Sequence, residues 1–180
     1  MKIYIGACLS KKNVKYLSLF LDSLIKIQTL KNCSLSFIFI TEKKNSACKN
    51  LIRSKLNKKK NYKIIFTNKK GIPQCRNIFI NFLNKNFSDY SGFIDDDCII
   101  SSKWLVNMIK FIRKNNCDIV GGPQYHNVNN KYFLKLFSLI EPQRNHNQSV
   151  KWIATNNSFF KSNIIRETGI RFDEKLKNIG

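Results

Sequence analysis

Three adjacent carboxylates, Asp95, Asp96 and Asp97, end a short apolar run, Tyr90-Ser-Gly-Phe-Ile94. Acids are scarce in this chain, 11 Asp and Glu against 32 Lys and Arg. Three side by side repel one another unless a cation or a hydrogen-bond network compensates. On an extended segment alternate side chains share a face. Asp95 and Asp97 are then expected to point one way and Asp96 the other. Two oxygen donors on one face suit a hard divalent ion, Mg²⁺ or Mn²⁺. The competing reading makes the triplet a cap for the helix that follows.

That helix is expected in the run from Ile99 to Arg113, so the triplet marks a strand-to-helix junction. Such junctions form the ligand edge of an open α/β sheet. A second junction is Gly71-Ile-Pro-Gln-Cys-Arg-Asn77. It places a glycine turn ahead of a helix N-terminus, where backbone amides favour phosphate.

The rest of the chain supplies the elements such an edge needs. Lys2–Cys8 reads as a strand, and Val14–Ile27 has apolar residues at helical spacing. Leu35–Thr41 is a continuous β-type run, suited to a strand buried on both faces. Ala47–Leu56 reads as a short helix and Tyr62–Thr67 as a third strand. Pro73 suits the first turn of a helix running to about Asn86. Gly92–Asp95 is the fourth strand. Lys103–Lys114 carries the core of the next helix, with Ser101 or Ser102 as its cap. Cys117–Val120 is a fifth strand, ended by Gly121-Gly122-Pro123. Beyond it come a polar loop (Gln124–Asn130), a helix (Tyr132–Ile140), a strand (Val150–Phe160) and a helix over Ser162–Thr168 capped by Ser162. His126 and His146 fall in polar stretches and read as loop residues. The strand–helix repeats imply right-handed βαβ units and a parallel sheet.

At 180 residues and 43% hydrophobic content, the chain makes one α/β domain with a substantial core. The formal charge of +21 has two explanations. One is attraction to polyanions. The other is codon bias, since 26 of the 32 basic residues are Lys and Asn and Ile are also abundant. A nucleic-acid module would interleave exposed aromatics with Lys and Arg, or carry a recognised motif. Here the aromatics lie in core-type patterns, so no nucleic-acid partner is expected. Six cysteines (8, 33, 48, 75, 98, 117) show no C-x-x-C spacing. They read as reduced thiols of a cytoplasmic protein. The opening residues read as a strand rather than a signal peptide. No apolar run nears the roughly 20 residues that span a bilayer.

In this order and at these spacings, the motifs resemble the family 2 glycosyltransferases of bacterial polysaccharide type, with a GT-A nucleotide-sugar-binding fold. The likeness rests on Ile3-Tyr-Ile-Gly-Ala-Cys8, Gly71-Ile-Pro-Gln-Cys-Arg-Asn77, and Phe93-Ile-Asp-Asp-Asp97 followed by Trp104-Leu105. It continues through Asp118-Ile-Val-Gly-Gly-Pro123, Ala154-Thr-Asn-Asn157 and Gly169-Ile-Arg-Phe-Asp173. It covers essentially the whole chain.

The resemblance implies a Rossmann-like, mostly parallel sheet flanked by helices. Residues 1–122 would form the donor-binding part and 123–180 the start of the acceptor side. It implies Mn²⁺ or Mg²⁺ on the D-x-D carboxylates, here Asp95 and Asp97. Asp97 would be the direct ligand, with Asp95 or Asp96 meeting the ribose or supporting the ion. Arg76 would face the diphosphate or order the metal-binding loop. The ends of the first two strands hold base and ribose in relatives, which points to Cys8, Ser10 and Glu42. There Cys8-Leu9-Ser10 replaces the usual Pro-Thr-Tyr-Asn, and Glu42 stands where Asp is commoner. Trp152, Thr155, Asn156 and Asn157 resemble the acceptor-lining segment, with Trp152 placed to stack on a sugar. Relatives continue past Gly180 with Gly-Glu-Asp, an acid of which is the general base. The chain therefore reads as C-terminally incomplete, with its base beyond Gly180. The implied activity is an inverting, metal-dependent transfer from a nucleotide-sugar, UDP-sugar favoured, to a glycan or lipid-linked acceptor. The inner face of an anionic membrane is the implied setting. The alternative is a truncated, non-catalytic relative that binds the sugar nucleotide.

Overall fold

A computed structural model describes residues 1–10, 14–124, 149–150 and 152–176. In chain order they form β1 (Lys2–Cys8), α1 (Val14–Ile25), β2 (Ser34–Glu42), α2 (Ser46–Leu56), β3 (Asn61–Thr67) and α3 (Ile72–Lys85). There follow β4 (Tyr90–Ile94), α4 (Trp104–Asn115), β5 (Ile119–Gly121), β6 (Asn157–Lys161) and a last short helix, α5 (Asn163–Thr168).

The strands make a six-stranded sheet in the order β3-β2-β1-β4-β6-β5. β1 lies parallel to both β2 and β4, and β2 parallel to β3. β6 runs antiparallel to β4 and to β5. The inner parallel strands β1, β2 and β4 are largely buried because helices cover both faces, whereas the edge strand β3 alternates exposed and half-buried residues. α1, α2 and α4 cover one face, where Leu17, Phe20, Leu24, Ile52 and Ile109 meet Ile5, Phe37 and Phe39. α3 and α5 cover the other, where Phe79, Leu83 and Ile165 meet Tyr4, Ile38 and Phe93. Gly6 is required here, since a Cβ would lie 2.6 Å from the Phe79 ring.

Several sequence expectations shift. The helix after the carboxylates starts at Trp104, not Ile99. Ile100 N–H donates to Ser23 Oγ at 3.1 Å and Gln28 N–H to the Ser102 carbonyl at 2.8 Å, so this stretch is held to the end of α1. Neither Ser101 nor Ser102 caps α4; the cap residue is Lys103, without a side-chain bond. Ser162 likewise makes no side-chain cap. Its hydroxyl joins those of Ser88 and Ser91 at 2.9 and 2.7 Å, a buried cluster under the sheet edge. The strand expected from Val150 begins only at Asn157, because Asn157 N–H closes a turn on the Ala154 carbonyl at 3.3 Å. The Tyr132–Ile140 helix, most of the Gln124–Asn130 loop, His126 and His146 lie outside the described residues.

Candidate functional site

Because β1, β2, β3 and β4 run parallel, their C-terminal ends share one edge, carrying Cys8, Glu42, Thr67 and Ile94. Beyond Ile94 the chain turns at once. Cys98 N–H donates to the Asp95 carbonyl at 3.3 Å and closes a turn around the three carboxylates. The extended geometry expected from the sequence is therefore absent, and the turn sorts the three side chains. Asp96 is buried, and its Oδ2 accepts the Ser10 N–H at 2.7 Å. That bond ties the exit of β1 to the exit of β4. Asp97 is exposed. Asp95, with 36% of its side chain exposed, lies 3.5 Å from Arg76 Nη2.

Arg76 itself is buried and belongs to the second turn of α3. Its guanidinium sits 5.4 Å from the centre of the Phe172 ring, a cation–π contact opposite the ion pair. α3 opens on Gly71, whose φ of 106° lies in the region that favours glycine, with Pro73 in the first turn. The cap residue thus puts no side chain across the helix entrance.

Burial raises the pKa of Asp95; Arg76 pulls it back and Asp97 pushes it up. A folded-state pKa above the usual carboxylate value means the native protein holds this proton to higher pH. Stability from Asp95 therefore falls as pH rises through that window, and its readiness to bind a cation rises. Arg76→Met removes the favourable charge and leaves burial and Asp97 unopposed. The acid limb of any metal-dependent ligand binding is then expected to move to higher pH. Binding titrations from about pH 4 to 8 check this, and an unmoved limb refutes it.

The thiols at this edge share the same electrostatics. Cys8 is raised by its hydrogen bond with Cys75 and by burial, with Arg76 lowering it and Asp95 raising it. Cys75 is lowered by that bond, against burial and Glu42. Cys8, Glu42, Arg76 and Asp95 thus occupy one neighbourhood, and Ser10 joins it through Asp96.

The residues expected on the acceptor side lie just before β6 and at its first position. Asn157 stands opposite Ile94 in the antiparallel register, one residue before the carboxylates. Its amide is engaged in the scaffold at both ends. Oδ1 accepts Trp104 Nε1–H at 2.7 Å, and Nδ2 donates to the Pro123 carbonyl at 2.9 Å. Asn156 exchanges hydrogen bonds with Gln124 at 2.7 and 3.3 Å. The Thr155 carbonyl accepts Ser158 Oγ–H at 3.2 Å. Trp152 is 58% exposed.

Two residues escaped the sequence reading, Gln74 and Asn77. Asn77 Oδ1 accepts the Phe172 N–H at 2.9 Å, while its Nδ2 donates to the Phe172 carbonyl and to Glu174 Oε1 at 2.9 and 3.0 Å. Gln74 Nε2 donates to the Glu174 carbonyl at 3.0 Å. Together they strap residues 172–174 onto α3 beside Arg76. Both segments stood out as motifs, but nothing local says that they touch. Asn77 is buried, and Asn77→Ala removes three part-buried hydrogen bonds at once, so stability is expected to fall by about 2–4 kcal/mol. Urea unfolding checks this; a loss below about 1 kcal/mol would refute the strap.

The described residues hold no cluster of three or more His, Cys, Asp or Glu that could cage an ion. The turn offers two carboxylates, exposed Asp97 and the partly buried Asp95 beside Arg76. That set fits Mg²⁺ or Mn²⁺, which bind through one or two carboxylates plus substrate phosphates.

The site therefore belongs to an α/β domain with its ligand groups at the C-terminal edge of a mostly parallel sheet. The family described as glycosyl transferase family 2 matches residues 10–171, and the chain belongs to it. No curated protein matches the chain. Among solved structures, S. aureus TarS 1-349 superposes with a TM-score of 0.71 at 18% identity, covering 99% of this chain and 52% of that one. The same region of TarS has been solved in complex with UDP and with UDP-GlcNAc. The mannosyltransferase PcManGT from Pyrobaculum calidifontis, in complex with GDP-Man and Mn²⁺, gives a TM-score of 0.68 at 11% identity, over 93% of this chain and 46% of that one. At these identities the likeness establishes the fold, the expected GT-A arrangement. The chain spans about half the length of these two structures.

Proposed function

We propose that this domain binds a nucleotide-sugar at the C-terminal sheet edge and transfers the sugar, with inversion, to an acceptor hydroxyl. The observation that carries this reading is the clamped carboxylate turn, with Asp96 on Ser10, Asp95 on Arg76 and Asp97 exposed, its Oδ1 accepting, among the described residues, only the weak Cys98 Sγ–H bond at 3.8 Å. A turn fastened on both sides holds its two outward carboxylates in fixed places, as ion binding requires.

Asp97 is the direct ligand of a divalent ion and Asp95 the second. When bound, such an ion acts as a Lewis acid on the leaving diphosphate. Arg76 and the N-terminal end of α3 add positive potential on the same side. Glu42, at the end of β2, accepts a hydrogen bond from a base N–H, which favours uracil. Cys8 and Ser10 line the ribose side, and Asp96 keeps Ser10 in place. Trp152 stacks on a sugar, with Asn156 and Asn157 lining the acceptor side. No described residue is assigned as general base. Asp173 Oδ1 already accepts the Lys175 N–H at 2.9 Å, and Glu174 Oε1 holds Asn77.

Calorimetric titration with UDP, with and without Mn²⁺, tests the donor half; a transfer or hydrolysis assay tests the chemistry. UDP binding that needs Mn²⁺ is expected. Binding without turnover moves the reading to a non-catalytic sugar-nucleotide-binding domain, and absence of metal-dependent binding overturns it.

The acceptor is a glycan or a lipid-linked glycan, presented at an anionic membrane surface. Residues 43–88 contain no acid, and Lys43, Lys44, Arg53, Lys58, Lys59, Lys69 and Lys70 among them are exposed. None of the described helices is long and apolar enough to cross a membrane. The contact proposed is that of this basic surface with anionic headgroups. Flotation with vesicles should show salt-sensitive binding to anionic lipid, and equal recovery with neutral vesicles would remove this part.

A further inference from the structure

Phe172 closes a ring of contacts around the ion pair of the carboxylate turn. It meets the Phe93 ring edge-on, with centroids 5.6 Å apart and planes at 88°. The Arg76 guanidinium lies 5.4 Å from the centre of the same Phe172 ring. Phe93 belongs to β4 and precedes Asp95 by two residues, while Arg76 belongs to α3 and stands 3.5 Å from Asp95. One side chain from the segment after α5 thus touches both the strand that leads to Asp95 and the cation that pairs with it. We propose that Phe172 is a positioning residue for the ion site: its ring holds the Arg76 guanidinium against Asp95 and so fixes the carboxylate that shares the divalent ion with Asp97. The effect on binding rests on the donor-site reading above; the contact of ring and guanidinium does not.

The ion pair alone leaves the guanidinium loosely directed. At 3.5 Å it is longer than a charge-assisted hydrogen bond of about 2.7–2.9 Å. An aromatic face supplies the missing constraint, and its attraction for a cation strengthens where water is excluded. That condition is met here. Only 7% of the Arg76 side chain is exposed, and Phe172 packs against the buried cluster that contains Tyr4, Phe79 and Phe93.

The ring is carried on a backbone that α3 itself grips. Asn77 Oδ1 accepts the Phe172 N–H and Asn77 Nδ2 donates to the Phe172 carbonyl, both at 2.9 Å. On either side of it, Arg171 Nη1 donates to the Asn77 carbonyl at 3.4 Å and the Glu174 carbonyl accepts Gln74 Nε2–H at 3.0 Å. Asn77 follows Arg76 directly, so one turn of helix presents the guanidinium and also holds the residue that faces it. None of the Phe172 backbone bonds depends on the side chain at 172. Leucine there keeps them and loses the aromatic face; tyrosine keeps both.

Calorimetry of the full chain with UDP and Mn²⁺ compares Phe172→Leu and Phe172→Tyr with the parent, with and without Arg76→Met. Phe172→Leu is expected to weaken Mn²⁺-dependent UDP binding about tenfold, and Phe172→Tyr to stay within about twofold of the parent. In the Arg76→Met background the same leucine should change affinity less than about twofold, because the ring acts through the guanidinium. An equal loss in both backgrounds, a tyrosine as weak as the leucine, or undiminished binding by Phe172→Leu overturns the positioning role. If Phe172→Leu does not fold, Phe172→Met carries the same comparison. NMR of the arginine side chains adds a readout that needs no ligand. The Arg76 Nε–H signal, identified by its disappearance in Arg76→Met, should lose its ring-current shift in Phe172→Leu and keep it in Phe172→Tyr; an unmoved signal in Phe172→Leu overturns the contact. If the parent shows no Mn²⁺-dependent UDP binding, the donor-site reading fails and the effect on binding falls with it, and the NMR signal alone decides whether the ring holds the guanidinium.

Discussion

Asp97→Asn is expected to lower Mn²⁺-dependent UDP affinity by about two orders of magnitude while leaving the fold unchanged. The Asp97 side chain is exposed and removing its charge takes away no core contact, so the stability change should stay within about 0.5 kcal/mol. The neutral amide keeps the shape but offers a hard cation a much weaker ligand, which separates metal binding from packing. Asp95→Asn should give a similar loss and also free Arg76 from its 3.5 Å partner. Asp96→Asn should behave differently. Its carboxylate is buried against the Ser10 N–H, so the change should lower stability by about 1–3 kcal/mol, with binding reduced only as the turn loosens. Three neighbouring residues of one type thus have two kinds of outcome. Calorimetry with urea unfolding distinguishes them, and metal-dependent binding that survives Asp97→Asn would refute the ligand assignment.

Gly92→Ala should be the most damaging single-methyl change in the sheet. Gly92 lies in β4 between Ile5 of β1 and Phe159 of β6. A Cβ there would lie 2.5 Å from the Ser158 carbonyl oxygen and 3.2 Å from Ile5 Cδ1. The first obstacle is backbone and cannot rotate away, so β6 must slide or lift. Overpacking of this kind is expected to lower stability by about 3 kcal/mol or more. The shift would also carry Asn157 away from the carboxylate turn, so UDP affinity should fall with stability. Denaturant unfolding tests the first part. A variant as stable as the parent would mean that β6 does not approach β4 this closely, and the placement of Asn157 would fall with it.

Much of this was readable along the chain. The apolar runs Ile3–Ala7 and Leu35–Ile40 announce buried strands because their hydrophobic residues are consecutive. Gly71 and Pro73 announce the start of α3 because their backbone preferences suit that place and few others. The carboxylate triplet stood out because three like charges cannot sit together without compensation. Local rules failed where a distant partner took the polar group. Ser162 is a good cap by type, but Ser88 and Ser91 reach it first. Ser101 and Ser102 precede α4, yet the end of α1 engages that stretch instead.

The amino-acid sequence alone determined the α/β alternation, the family and the scarcity that singles out Asp95, Asp96 and Asp97. Those properties live in periodicity, composition and short motifs, which need no knowledge of neighbours in space. Only the tertiary structure decided which aspartate turns inward and that Arg76 meets both Asp95 and Phe172. Each of these joins groups far apart in the chain, and the sheet register that brings them together is set by packing of both faces at once.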